Sequence, residues 1–287
     1  MRFFLLAIAV LSSSPACVLG QSRAPIVVLV HGRGHLEDDT ASLRRSWKAS
    51  LDTALRQVQM PALADDDVRL AWYADVLDPS EDHGCVVSSA ASDTGGFETF
   101  ARDFLGSLAS ALPKQESREI RPLLGDMLYA VDPSRRCATQ RRVGTVIDAA
   151  LSEDRPVIVV AYSLGAMITY AELDRRGVSA NRPAIRLITV GSPLGNAEIR
   201  EILGEPAGNL RLPRAVASWE NVYDPHDAFS APLGAEITGV VDRELPNQAA
   251  TDPHHASRYL QHRVTGQAIA RAICASTPRQ PEQCSGL

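Results

Sequence analysis

A serine stands between an apolar β-rich run and a helical segment in the stretch VIVVAYSLGAMITYAEL, residues 157–173. Two residues to either side of Ser163 are Ala161 and Gly165. A serine on a sharp strand-to-helix turn needs small residues at these two positions because the turn is crowded. Such a turn also aims the unpaired N–H groups of the helix start at the place where an oxyanion would form. We therefore predict that Ser163 is a nucleophile rather than an ordinary helix cap.

A serine nucleophile needs a base to accept its proton and an acid to orient that base. The stretch NVYDPHDAFS, which follows a predicted strand, contains Asp224 and Asp227. The stretch TDPHHASRYL contains His254 and His255 in a loop before a predicted helix. The residues by themselves leave two candidates for each role.

Three segments resemble the α/β-hydrolase superfamily, in particular its lipase and esterase branches. They are VHGRG after the first predicted strand, AYSLGA around the serine, and TVGSPLGN, which is similar to the TFGSPRVGN-type segment of many extracellular lipases. The A-x-S-x-G here departs from the usual G-x-S-x-G but keeps a small residue before the serine. The resemblance covers residues 25 to about 262, except for an excursion at 78–136. It implies that nucleophile, acid and histidine follow one another in that order.

The resemblance also favours one candidate for each remaining role. The register of the family around the acid favours Asp227, so that Asp224 would only shape a turn. Relatives often carry an aromatic residue three or four positions after the histidine, and Tyr259 stands four after His255. We therefore expect His255 to be the base, with His254 as the alternative.

The family's mechanism implies an acyl-enzyme and an oxyanion hole made of backbone N–H groups. The donors expected here are Leu164 together with Arg33 or Gly34. The expected substrate is a small-molecule or lipid ester, with no cofactor and no metal, and with a transient contact to a membrane or lipid surface. An amidase, an acyltransferase or a catalytically silent binding protein of the same fold remain alternatives. The sequence leaves the oligomeric state open.

The composition is that of a globular protein and does not favour a nucleic-acid partner. The 287 residues are 45% hydrophobic, and the formal net charge of −5 is spread along the chain. Nucleic-acid binding would require a clustered basic face. Alternating strands and helices predict an α/β fold, a mostly parallel sheet with helices on both faces. We expect a single α/β-hydrolase domain over residues 21–287, with 78–136 as a lid or insertion.

The first twenty residues are typical of a cleaved secretory signal. Arg2 precedes the apolar run FFLLAIAVL, and small residues follow before position 21. This run is shorter than the roughly 20 residues that a membrane-spanning helix needs. We predict a signal peptide over 1–20 and a secreted or periplasmic protein. Lipid anchoring at Cys17 is the alternative.

Export affects the interpretation of the cysteines. Four cysteines remain once Cys17 is removed with the signal peptide. An even number of cysteines in an oxidising compartment predicts two disulfides, with three pairings open. We favour Cys85–Cys137, which would bracket the insertion, and Cys274–Cys284, which would fasten the tail. The alternative is that these thiols are unpaired and buried.

Apolar periodicity predicts the elements that position these residues. Predicted strands lie at 24–30, 67–77, 157–162, 185–193 and 214–224, the last being the final strand expected. Predicted helices lie at 41–58, near 97–112, near 138–151, after Ser163, and over the tail at 257–275.

Overall fold

The computed structural model describes residues 24–78, 85, 129–130, 132–176, 185–197, 200, 210–246, 252–276 and 284. In this part of the chain six strands form one sheet in the order β2-β1-β3-β4-β5-β6, and every neighbouring pair is parallel. The strands are β1 Ile26–Val30, β2 Val68–Ala71, β3 Val157–Tyr162, β4 Ile185–Val190, β5 Val216–Tyr223 and β6 Val240–Glu244. The α-helices are α1 Thr40–Arg56, α2 Pro133–Leu151, α3 Leu164–Arg175, α4 Ala256–Leu260 and α5 Arg263–Ser276. The predicted α/β class with a parallel sheet is confirmed.

The strands β1 and β3 lie side by side inside the sheet and are buried along their whole length. Alternate residues of these strands face opposite sides of the sheet. Val28 and Val159 pack into a core that includes residues of α2 and α3. Val27 and Ile158 pack into a second core with residues of α1 and α5. Helices therefore cover both faces, which explains why these strands are continuous apolar runs.

Helix caps explain two of the helix starts. The Asp39 side chain accepts the Ser42 N–H and caps α1, which begins at Thr40, one residue before the predicted start. Helix α2 begins at Pro133, about five residues earlier than predicted, because Asp132 caps it and proline is tolerated in its first turn. The Asp-Pro pair in the sequence indicates this helix start, but the predicted boundary did not take it into account.

Several elements of the structure differ from the prediction. Strand β2 ends at Ala71, and the residues Ala74–Leu77 form a 3₁₀ turn instead of continuing the strand. Strand β6 follows β5 and was not predicted, because its sequence VVDRE is only partly buried and lacks a long apolar run. The single tail helix is two helices, α4 and α5. Most of the 78–136 insertion, including the predicted helix near 97–112, lies outside the described residues.

The disulfides follow the favoured pairing. Cys85 is bonded to Cys137 near the start of α2, and Cys274 near the end of α5 is bonded to Cys284. Disulfides of this kind persist in oxidising compartments. Among the residues that the structure describes, no helix has the length and apolar character needed to cross a membrane. The predicted signal peptide lies outside the described residues.

Candidate active site

Ser163 occupies a strained turn between β3 and α3. Its backbone has φ 53° and ψ −127°, a conformation that residues other than glycine rarely adopt. The turn is held from both sides, because the Ser163 N–H donates to Val190 O at 3.1 Å and the Ala166 N–H donates to Ser163 O at 2.9 Å. Strain of this kind persists where the surrounding structure fixes it, and it is concentrated at functional sites.

The glycine two residues after Ser163 is required by close packing. A Cβ on Gly165 would lie 2.2 Å from the backbone oxygen of His31, so the start of α3 lies directly against the end of β1. Ala161 is fully buried and pairs with Val30 across the sheet. The contact at Gly165 therefore accounts for the glycine of the A-x-S-x-G pattern, while Ala161 is a buried residue of the sheet.

Ser163, His254 and Asp227 form a continuous hydrogen-bonded chain. The Ser163 Oγ lies 2.8 Å from His254 Nε2, and His254 Nδ1 lies 2.7 Å from Asp227 Oδ2. The Asp227 carboxylate can only accept hydrogen bonds when ionised, so Nδ1 carries the proton and Nε2 is left to accept from the serine hydroxyl. The side chain of Asp227 is 1% exposed and that of His254 is 16% exposed. This is the arrangement needed for a general base held by a buried acid.

The neighbouring histidine has a different place. His255 is exposed and caps α4, where its Nδ1 lies 2.7 Å from the Ser257 hydroxyl and 3.3 Å from the Ser257 N–H. The structure therefore brings the alternative, His254, to Ser163 in place of the expected His255. Tyr259, the aromatic residue on which that expectation rested, does contact Asp227, but the histidine that faces Ser163 stands five positions before it and not four.

Of the two aspartates, Asp227 faces the histidine and Asp224 does not. Asp224 Oδ2 accepts from Arg258 Nε at 2.8 Å and Nη2 at 2.6 Å, and Oδ1 accepts from the His226 N–H at 2.9 Å. Burial alone would raise the pKa of Asp224, but these hydrogen bonds outweigh it and lower the pKa below its ordinary value. Asp224 is thus a buried ion-pair partner as well as a turn residue, which sequence reasoning missed.

The expected oxyanion donors lie at the start of α3 and in the loop after β1. Leu164 is the first residue of α3, a position whose N–H has no partner within the helix. Gly34 has φ 85°, a conformation that favours glycine. Arg33 is exposed, and its guanidinium lies 5.5 Å from the ring centre of Phe229.

His31 supports this loop from below. Its ring is fully buried and is stacked on Tyr73 at 4.0 Å. His31 Nδ1 lies 2.6 Å from the Gly32 carbonyl, and Nε2 accepts the Tyr73 N–H at 3.2 Å. Burial lowers the pKa of His31 to about 3. The ring is therefore neutral at ordinary pH and serves as a fixed support for the loop.

Further contacts hold the backbone and ring of His254. Its N–H donates to Asp252 Oδ1 at 3.1 Å, and its carbonyl accepts from the Tyr162 hydroxyl. The ring lies 4.9 Å from that of Phe229 and 5.2 Å from that of Tyr162, measured between centres. Phe229 is 42% exposed, so an aromatic surface borders the imidazole on the solvent side.

Comparison with known proteins does not assign the chain to a family. No protein-family model matches the chain, and no curated protein matches it significantly. Within the described ranges, no group of three or more His, Cys, Asp or Glu side chains could hold a metal ion. The geometry around Ser163 is thus the main guide to a function.

Proposed function

We propose that this protein is a serine hydrolase of the α/β-hydrolase type that cleaves carboxylic esters. The observation that carries the proposal is the unbroken hydrogen-bonded chain from Ser163 through His254 to Asp227, with links of 2.8 and 2.7 Å. The strained backbone of Ser163 and the parallel sheet that ends beneath it support the same reading.

The reaction begins when the Ser163 oxygen attacks the acyl carbon of the ester. His254 Nε2 takes the hydroxyl proton, and the buried Asp227 stabilises the imidazolium that forms. As the tetrahedral intermediate collapses, the bond between carbon and alkoxy oxygen breaks, and His254 gives its proton to the departing alcohol. Water, deprotonated by the same imidazole, then attacks the acyl-enzyme and releases the carboxylic acid.

The negative oxygen of the intermediate would be bound by the backbone N–H of Leu164 and by that of Arg33 or Gly34. A single donor of this kind stabilises the transition state by about 3–4 kcal/mol. The buried and neutral His31 keeps the loop after β1 in place beneath these donors.

The substrate would be a small-molecule or lipid ester, met outside the cytoplasm by a secreted or periplasmic enzyme. The disulfides agree with such a compartment. The exposed Phe229 beside His254 offers an apolar surface to the substrate. An amidase or acyltransferase would use the same three residues.

A fluorophosphonate probe, which reacts with activated serines, tests the proposal directly. The folded wild-type protein should be labelled, and Ser163→Ala should abolish both labelling and ester hydrolysis with a nearly unchanged melting temperature. Ser192→Ala is the matched control, because this buried serine also follows a strand but only caps a short turn. It should be labelled like the wild type.

Lack of labelling of the folded wild type, under conditions that label a known esterase, would instead favour a silent binding protein. If the wild type is labelled, a panel of p-nitrophenyl esters of increasing acyl length would define its substrate.

A further inference from the structure

The short helix α4 directly follows the histidine-bearing turn and contacts both aspartates of the loop after β5. The Tyr259 hydroxyl donates to Asp227 Oδ2 at 2.6 Å, the same oxygen that faces His254. The adjacent Arg258 binds Asp224. Building on the proposed function, we propose that Arg258 and Tyr259 are positioning residues, which dock the histidine-bearing turn on the acid loop and hold the imidazole in line with the serine.

The Asp227 carboxylate depends on Tyr259 for its orientation. Its Oδ1 accepts the Phe229 N–H at 2.9 Å, while its Oδ2 is shared by His254 and Tyr259. Three donors fix both the rotation and the plane of the carboxylate. Burial and the nearby Asp227 raise the pKa of Tyr259, so the phenol keeps its proton and remains a donor.

The ring of Tyr259 has little freedom to move. It is fully buried, so water cannot replace its hydroxyl without an opening of the core. Gly191 has φ 58°, and a Cβ there would lie 3.1 Å from the rings of both Tyr162 and Tyr259. The two tyrosines thus close against one glycine, one holding the carbonyl of His254 and the other its acid partner.

Arg258 supplies the second attachment of α4. Its partner Asp224 stands at the end of β5 with a fully buried side chain, whereas the side chain of Arg258 is 17% exposed. Removal of one member of a buried, hydrogen-bonded ion pair leaves the other without compensation. The pair therefore fastens the turn before α4 to the sheet.

The test compares Tyr259→Phe and Arg258→Met with two matched controls. Tyr170→Phe removes another buried tyrosine hydroxyl, which accepts the Arg211 N–H on a different part of the surface, and Arg211→Met breaks an ion pair with Asp174. Because a small misplacement of a catalytic group strongly slows the chemical step, each α4 variant should lower kcat and the labelling rate about tenfold or more. KM should stay within about twofold, since no substrate contact is removed. The controls should stay within about twofold in both constants.

The NMR resonance of the His254 Nδ1 proton provides a readout that does not depend on turnover. This proton faces Asp227 Oδ2, the oxygen that also accepts from the Tyr259 hydroxyl. Loss of that hydroxyl in Tyr259→Phe leaves Oδ2 to His254 alone, so the hydrogen bond should strengthen and the resonance should move downfield from its wild-type position. Asp252, which accepts the backbone N–H of His254, is unchanged in the variant.

The outcomes separate this proposal from the proposed function. Wild-type rates and an unchanged His254 Nδ1–H resonance in folded Tyr259→Phe would overturn the positioning role, while labelling of the wild type would leave the hydrolase standing. If the wild type is not labelled, the hydrolase fails, and the Nδ1–H resonance still decides whether Tyr259 acts on the pair of His254 and Asp227. Arg258→Lys should recover part of the rate lost in Arg258→Met, and Tyr259→Phe decides the matter if the methionine variant does not fold.

Discussion

Gly165→Ala tests whether close packing at the start of α3 is what presents the serine. The new Cβ would lie 2.2 Å from His31 O and 2.9 Å from Val30 O, backbone atoms of the last residue of β1 and of the buried residue that follows it. A comfortable carbon–oxygen contact is about 3.3 Å, so the helix start and the strand end must separate by about 1 Å. No flexible side chain is available to absorb this shift.

Two consequences follow from this displacement. Overpacking of a dense interior costs about 1–3 kcal/mol, and the backbone contact places Gly165→Ala near the upper end of that range. For a chain of this size the melting temperature should fall by roughly 5 °C. The same shift moves Ser163 away from the loop after β1, and a misplacement of about 1 Å reduces the rate about 100-fold.

Gly266→Ala is the control for loss of stability alone. A Cβ on Gly266 would lie 2.3 Å from Ala54 O, a similar backbone contact where α5 packs on α1. Urea unfolding of each variant, combined with the labelling rate of its folded fraction, separates the two effects. Both variants should be destabilised, but only Gly165→Ala should be labelled slowly. If Gly165→Ala is labelled at the wild-type rate, close packing is not what positions the nucleophile.

Three further predictions concern the hydrogen-bonded chain and the support beneath it. His254→Ala should reduce kcat for p-nitrophenyl acetate by about 10⁴-fold or more. His255→Ala loses only a helix cap, so its kcat should stay within about twofold of the wild-type value. Equal losses in the two variants would contradict the assignment of His254 as the base. Asp227→Asn should lower kcat by about 10⁴ because it favours the wrong imidazole tautomer, and Asp224→Asn by about tenfold because it weakens the docking of α4; the reverse order would reassign the acid. Because burial lowers the pKa of His31 to about 3, the unfolded chain binds a proton there as pH falls from about 6.5 and the folded chain does not. The free energy of unfolding should therefore fall towards acid pH, by up to about 1.4 kcal/mol per pH unit from this residue. In urea unfolding, the free energy of His31→Gln should depend less steeply on pH than that of the wild type; equal dependence would mean that the ring is solvated in the folded protein.

The parts of the site that could be predicted from sequence are those fixed by the buried sheet. Strands β1 and β3 are covered on both faces and consist of uninterrupted apolar residues, so their ends could be located. The small residues around Ser163 then indicated the turn, because few other reasons place a serine between such a strand and a helix. Strand β6 was missed because four of its five residues are exposed or only partly buried, so that its sequence resembles a polar loop.

The choice between His254 and His255 could not be made in the same way. Adjacent residues in a loop point in different directions, and nothing in their spacing says which one turns inward. In the structure the direction follows from contacts distant in sequence, since Tyr162 binds the carbonyl of His254 and Asp227 binds its ring. Those contacts are visible only after the chain has folded.

The three parts of the site are therefore held by different kinds of interaction. Strands β3 and β5 are parallel members of one sheet, so the turn bearing Ser163 and the loop bearing Asp227 emerge at the same edge by topology alone. His254 follows no strand, and its place depends on side-chain contacts made by its own turn and by α4. Substitutions that remove those contacts should consequently reduce activity more than stability. Substitutions of residues that pack against the strands should reduce both.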